Sequence, residues 1–278
     1  MLIDLAPNHK IGLVVENPIL LAGGAIAYGE ATPKGLDLEV LGAVVVGPLL
    51  NSSRGGAPPP RLAHVNGGAV LESGLQNRGA SHVLQQYVRH WQRSPCPVVV
   101  QLADDHPTAL AKVAIKLAQV EGLAGIELLL SEGVDGATAG QLVEALLRRC
   151  DLPLWVKVPL TGAVELAPAL VAAGAVGIVV GRPLPGAALR RDGGTSPQLV
   201  RGATYGPLAF APMLDSLQQV AALRLPCALI ACGGLHTADQ VRQALAAGAQ
   251  AVQIDSAVWV EPGIASRLLR ELASGPLP

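Results

Sequence analysis

Aromatic side chains are almost absent from this 278-residue chain: three Trp, three Tyr and one Phe, 3% of the total. So thin a supply argues against the stacking platforms on which single-stranded nucleic acids lie. Charge is sparse too. Asp, Glu, Lys and Arg make up 15% and the formal net charge is −1, so neither a nucleic acid nor an acidic membrane is an expected partner. The four cysteines, Cys96, Cys150, Cys227 and Cys232, form no CxxC pair and no Cys/His cluster. That spacing speaks against zinc and iron–sulfur centres and for free thiols in a reducing cytoplasm. No apolar run of about 20 residues is free of Pro, Gly or charge. The first residues, MLIDLAPNHKIGLVVENP, lack the basic region, apolar core and cleavage site of a secretion signal. These absences predict a soluble, cytoplasmic protein without a metal, a nucleic acid or a membrane.

What is present is apolar material, half of all residues, arranged with a rhythm. Short runs suited to buried parallel strands recur at 18–24, 43–47, 97–103, 125–130, 153–158, 176–181, 227–234 and 251–255. Helix-period stretches lie between several of them, at 107–122, 138–150 and 237–249, the last opening on a Thr cap and closing near a Gly. Strand alternating with helix eight times predicts an α/β fold, a (β/α)8 TIM barrel forming a single domain over 1–278, with a doubly wound open sheet as the competing arrangement. The segment 51–68, rich in Gly and Pro, is too long for an ordinary loop, and an inserted segment covering the barrel mouth is expected at about 51–79.

In such a barrel the chemistry sits where strands end. The late turn CGGLHTADQ (232–240) and the last strand's end IDSA (254–257) suit an anion, since Gly233 and Gly234 let backbone N–H groups approach it; a tight strand-to-helix turn is the plainer alternative. Lys157 is the only lysine inside a predicted strand. Its ammonium meets either an anionic or electron-rich ligand or a strand-end acid such as Glu127. GLQNRG (74–79), with Arg61 before it, either covers a ligand or caps the next helix. His64 and His106 read as surface residues, and His236 as a phosphate contact or a helix-start residue. Arg182 is a candidate replacement charge at the mouth, and Arg190-Arg191 reads as a solvated loop. Glu132, in IELLLSEGVDG (126–136), stands where an apolar strand opens into a loop; it is either a catalytic base or a solvated charge.

Taken in order, NPILLAGG (17–24), PPPRL with GLQNRG, IELLLSEG, PLWVKVPL, GATYGPLAFAP (202–212), ALIACGGLHTADQ and AGAQAVQIDSA (247–257) resemble the dihydroorotate dehydrogenase family of FMN-dependent barrels almost end to end. The resemblance implies FMN as cofactor. It sets Ala22 and Gly23 against the flavin, Lys157 near its electron-accepting end, and Gly206, Gly233, Gly234 and Ser256 around the phosphate. It also places Glu132 at the family's catalytic base, with Lys157 as the second catalytic residue. Departures are equally specific. The family's active-site lysine falls on Gly47, and its ring-gripping asparagines fall on Leu71, Leu129, Val134 and Gly181. Asp255 replaces a glycine beside the phosphate, where a carboxylate repels it unless the side chain turns away.

The expected function is therefore a dihydroorotate dehydrogenase-like, FMN-dependent oxidoreductase acting on a small dihydro or enone-type substrate other than, or in addition to, dihydroorotate. Two alternatives stay open: a non-catalytic barrel, flavin-binding or empty, acting as a partner or regulatory subunit, and a flavin-free barrel enzyme on a phosphorylated substrate. By resemblance, a homodimer is expected. The short N-terminus leaves no room for the membrane-docking extension of quinone-reducing relatives, so a soluble acceptor or a separate electron-transfer subunit is expected.

Overall fold

In a computed structural model, which describes residues 2–30, 32–190 and 197–274, eight parallel strands close into a barrel. In chain order the barrel strands are Ile19–Leu21, Ala43–Leu49, Val98–Leu102, Leu123–Leu129, Leu154–Pro159, Gly177–Arg182, Ala228–Cys232 and Ala251–Ile254. Each pairs with its chain neighbour, and the last returns to the first through Val252–Ile19 and Ile254–Leu21. All eight predicted runs are strands, and the closed ring rules out the open sheet. Among the described residues, no helix is long and apolar enough to cross a membrane. Nor does any group of three His, Cys, Asp or Glu there suit a metal ion.

The alternation of side chains along each strand explains the long apolar runs. One parity, including Ile19, Val44, Val100, Leu128, Val156, Val180 and Val252, packs outward against the surrounding helices. The other, including Leu20, Val45, Val99, Trp155, Val179 and Ile230, fills the barrel interior. Both faces are dry, so both parities are apolar. Trp155 spans the lower interior. A Cβ on Gly177 would lie 2.5 Å from its ring, and its Nε1 donates to the Leu5 carbonyl oxygen at 2.7 Å. Leu5 belongs to a short N-terminal hairpin, Ile3–Asp4 with Val14–Val15, whose Leu13 and Val15 close the barrel floor.

At the opposite end a four-stranded antiparallel sheet rises beside the mouth. Its order is 185–190, 198–205, 68–71, 62–65. Half of it comes from the 51–79 insertion. The other half is a ribbon after barrel strand six, where the sequence reading saw only a solvated loop at 190–191; Arg190 ends a strand, while Arg191 lies outside the described residues. The two hairpins cross closely. A Cβ on Gly68 would meet the Tyr205 carbonyl oxygen at 1.9 Å, and one on Gly206 would meet that of Gly67 at 2.2 Å. Alternation of polar and apolar residues is weak in this ribbon, so periodicity alone did not reveal it.

Arg61 fastens the insertion. Its guanidinium donates to the Ala57 carbonyl, to Gln76 Oε1 at 2.5 Å and to the Gly55 carbonyl at 3.3 Å. Asn77, buried, accepts from Gly79 N at 2.9 Å and donates to the Pro48 carbonyl at 2.6 Å. GLQNRG thus anchors the insertion to the end of strand two. It does not cap the next helix by a side chain, since Gly79 holds the cap position of Ala80–Trp91.

Candidate active site at the barrel mouth

Polar residues enter the interior only in its uppermost layer. Following the inward parity upward, Val99 leads to Gln101, Gly125 to Glu127, Trp155 to Lys157, and Ala251 to Gln253 and Asp255. Gln101, Glu127, Lys157 and Gln253 are all buried. Glu127 is the hub. It accepts from Gln101 Nε2 at 2.7 Å and from Gln253 Nε2 at 2.5 Å, and its Oε1 lies 3.4 Å from Lys157 Nζ. Burial works against the Lys157 ammonium, but Cys232, Glu127 and Asp255 outweigh it and hold the pKa above its ordinary value. Burial also pushes the Cys232 thiol up to about 12, so it is neutral at pH 7, and the carboxylates of Glu127 and Asp255 are the charges that retain the proton on Lys157. The strand-end acid anticipated for Lys157 is present. It does not close the ammonium off, because Lys157 also lines a cavity.

That cavity has a volume of about 290 Å³, with Gly23, Gly24, Gln101 and Lys157 on its floor and Leu71, Leu129 and Tyr205 above. Gly24, at φ +91°, has nothing within 4 Å of where a Cβ would be. Ala22 is fully buried beneath, its N–H donating to the Ile254 carbonyl at 2.9 Å. A tilted ring pair, Tyr205 with Trp259 at 5.4 Å, stands at the cavity's edge.

A narrow cleft of about 20 Å³ opens beside it, and Gly206, Gly233, Gly234 and Ser256 all line it. The structure therefore brings together the four residues that the resemblance named. Gly234 is required by crowding: at φ +69° a Cβ would lie 2.2 Å from Phe210 N. His236 lines the cleft as well. Burial lowers its pKa, its N–H is bonded to Gln240 Oε1 at 2.8 Å, and it brings no charge at pH 7. The start of helix Ala238–Ala246 is satisfied by its own capping box, Thr237 with Gln240. Asp255 does not turn away. It lines both the cleft and the cavity, and burial pushes its carboxyl up to about 6.

Glu132 lies elsewhere. Its side chain is 39% exposed and pairs with Arg182 Nε at 3.4 Å. Arg182 also donates to the Leu130 carbonyl, so one guanidinium holds both ends of the turn after strand four. Both residues face an outer cleft of about 870 Å³, lined also by Leu71, Leu129 and Arg201. The enclosed, apolar setting expected of a buried base is not what surrounds Glu132: it is a partly solvated carboxylate beside a cation. Gly47 lines the inner cavity, Leu71 and Leu129 line both spaces, and Gly181 is pressed so closely on Cys232 that a Cβ would lie 1.7 Å from its carbonyl oxygen. His106 caps helix Pro107–Leu117, accepting from Thr108 N at 3.3 Å, and is no part of the site.

The family model described as dihydroorotate dehydrogenase matches residues 7–180. The chain belongs to the dihydroorotate dehydrogenase family. It is 31% identical over 276 residues to the protein of Citrifermentans bemidjiense named dihydroorotate dehydrogenase B (NAD(+)), catalytic subunit, with 94% of this chain and 90% of that relative covered. A protein of the same name from Pelobacter propionicus is 32% identical over 279 residues, covering 95% and 90%. Among solved structures, that of DHODH from Eimeria tenella in complex with ferulenol superposes with a TM-score of 0.78 at 17% identity, over 96% of this chain and 83% of that one. That likeness bears on the fold alone.

Sequence reasoning missed Gln101, Gln253 and Tyr205. For the two glutamines a signal existed: each is a polar residue of inward parity near the upper end of an otherwise apolar run. Tyr205 reaches the site through the ribbon, for which the sequence carried no comparable mark.

The residues present fit FMN. The Lys157 ammonium, engaged by Glu127 at 3.4 Å and by the Cys232 thiol, has a third donor for the cavity floor, and the glycine cleft lies nearby for a second anionic group. Asp255 alone among the lining residues opposes it.

Proposed function

We propose that this chain is an FMN-dependent oxidoreductase of its family, acting on a small cyclic dihydro or enone-type substrate. The observation that carries this reading is Lys157, a buried cation on the floor of a cavity contiguous with the cleft of Gly206, Gly233, Gly234 and Ser256. Bound FMN would supply hydride chemistry that no side chain here possesses. Ala22 and Gly23 would form its backing and the glycine cleft would take its phosphate. Lys157, held by Glu127, would present positive charge to an electron-rich ring edge.

The substrate would lie between that cavity and the outer cleft. Gly47, Leu71 and Leu129 give it no hydrogen bonds from side chains there, so a ring less polar than dihydroorotate is favoured. Glu132 serves as proton acceptor in this reading, and the turn 131–135 has to bring it inward from Arg182 to do so. Dihydroorotate itself is the second reading, favoured by the names of relatives near 30% identity over most of both chains. Those relatives are named catalytic subunits, which supports a separate electron-transfer subunit as partner.

The visible spectrum of the purified protein, before and after FMN is added, tests the cofactor. A bound-flavin spectrum is expected. Anaerobic mixing with dihydroorotate and with less polar cyclic analogues then separates the two substrate readings, and Glu132→Gln should slow bleaching about 100-fold or more if Glu132 takes the proton. A protein that FMN cannot colour returns the field to a flavin-free enzyme or a non-catalytic barrel. One that binds FMN and is bleached by none of these compounds favours the non-catalytic barrel.

A further inference from the structure

We propose that Asp255 couples cofactor occupancy to a proton: the phosphate end of FMN enters the glycine cleft with the Asp255 carboxyl protonated, so binding takes up a proton and weakens as pH rises. This rests on the FMN reading above and adds a determinant of cofactor retention to it.

The argument is one of unmatched charge. Among the described residues, Asp255 is the one carboxylate lining the cleft and also the one lining the inner cavity. The charges around it are already spoken for. From barrel strand five comes Lys157, 3.4 Å from Glu127 of strand four. From strand six comes Arg182, 3.4 Å from Glu132. Cys232 of strand seven, its thiol raised to about 12 by burial, and Tyr205 of the mouth sheet, also raised by burial, are neutral at pH 7. His236, its pKa lowered by burial, is neutral there as well. No described cation lies within ion-pairing distance of Asp255.

Two cations are thus matched by two carboxylates, and Asp255 is the surplus negative charge in a space of low dielectric. Its carboxyl accordingly titrates at about 6, with burial the main cause and Lys157 opposing it. A phosphate brought into the same cleft adds like charge at close range, where screening by water is weakest. Protonating Asp255 removes the repulsion and turns an acceptor into an O–H donor toward the anion. No other lining group can supply that change, since the remaining titratable groups are either neutral already or held in ion pairs.

The test is FMN affinity of the intact protein from about pH 5 to 8, by fluorescence quenching, for wild type, Asp255→Asn and Asp255→Gly. With the free carboxyl titrating near 6 and protonated in the complex, the wild-type Kd rises roughly tenfold from pH 5 to 7 and roughly a hundredfold by pH 8. Both variants lose that rise and bind about a hundredfold more tightly than wild type at pH 8. The phosphate of FMN has its own ionisation near ~6. It is common to all three proteins, so the difference between profiles isolates Asp255. Calorimetry at pH 7 in two buffers of unlike ionisation enthalpy should show about one more proton taken up by wild type than by the variants, and riboflavin, which lacks the phosphate, should show no such excess. Parallel pH profiles, or equal proton uptake, overturn the proposal while leaving FMN binding intact. FMN binding to none of the three proteins at any pH overturns the cofactor reading and this one with it.

Discussion

Glu127 is the residue on which the upper barrel interior depends. Three strands supply its partners, Gln101, Lys157 and Gln253, and all four side chains are buried. A buried ion pair adds little to stability when intact, yet removing one member strands the other in a medium that cannot solvate it. The two members are not equivalent. Without Lys157, Glu127 still accepts from two amides; without Glu127, the ammonium and both amides lose their shared acceptor. Glu127→Ala is therefore expected to destabilise the protein by roughly 3–5 kcal/mol and Lys157→Met by clearly less, as read from denaturant midpoints at pH 7. Equal losses would mean that the amides contribute nothing. Of these residues the sequence revealed Lys157, because a lysine in a strand is conspicuous, and named Glu127 as its possible partner. Gln101 and Gln253 needed the three-dimensional register: Gln101 lies beside Glu127 on the neighbouring strand, and Gln253 of strand eight meets it only across the closed interior.

At the scale of elements, Arg182 latches strand six to the turn that follows strand four. Its guanidinium holds the Leu130 carbonyl and the Glu132 carboxylate together. The Glu132 pair is partly solvated, so its contribution to global stability is small, about 1 kcal/mol or less. Its local effect is larger, because Gly133, at φ +72°, leaves the turn with little of its own to hold it. Arg182→Ala should speed hydrogen exchange at the 131–135 amides several-fold while leaving the melting temperature within a few degrees. Unchanged exchange would show that the turn is held by something other than Arg182. The resemblance put Glu132 at the base position, but a one-dimensional match says nothing about which cation stands beside it. Strand six and the turn after strand four are about 50 residues apart, and only their adjacency in space makes the pair.

For the molecule as a whole, the barrel has a packed floor and a polar top. The floor is centred on Trp155, which fills the space left by Gly177 and is tied to the N-terminal hairpin through Leu5. Trp155→Ala is expected to cost roughly 3–5 kcal/mol in denaturant unfolding and to loosen the hairpin at 3–15 in hydrogen exchange. Because the glycine cleft proposed to take FMN lies at the other end, FMN affinity measured under stable conditions should stay within about twofold of wild type, as expected of well-separated sites. A large loss of affinity would show that floor and mouth do not behave independently.

By itself the sequence determined the barrel and the ring of glycines at its mouth. Both are written locally: eight apolar runs of strand length, each followed by a turn or a helix, leave few ways to bury two dry faces, and a glycine marks its own backbone wherever it stands. Through the resemblance it also implied that the family's active-site lysine falls on Gly47 and its ring-gripping asparagines on Leu71, Leu129, Val134 and Gly181. What only the tertiary structure decided was the company each charge keeps. Glu127 faces Lys157 and two glutamines, Glu132 faces Arg182, and Asp255 faces the shared cleft with no described cation within ion-pairing distance. Charge acts through distance in space, and residues that are neighbours across a closed barrel have no fixed spacing along the chain.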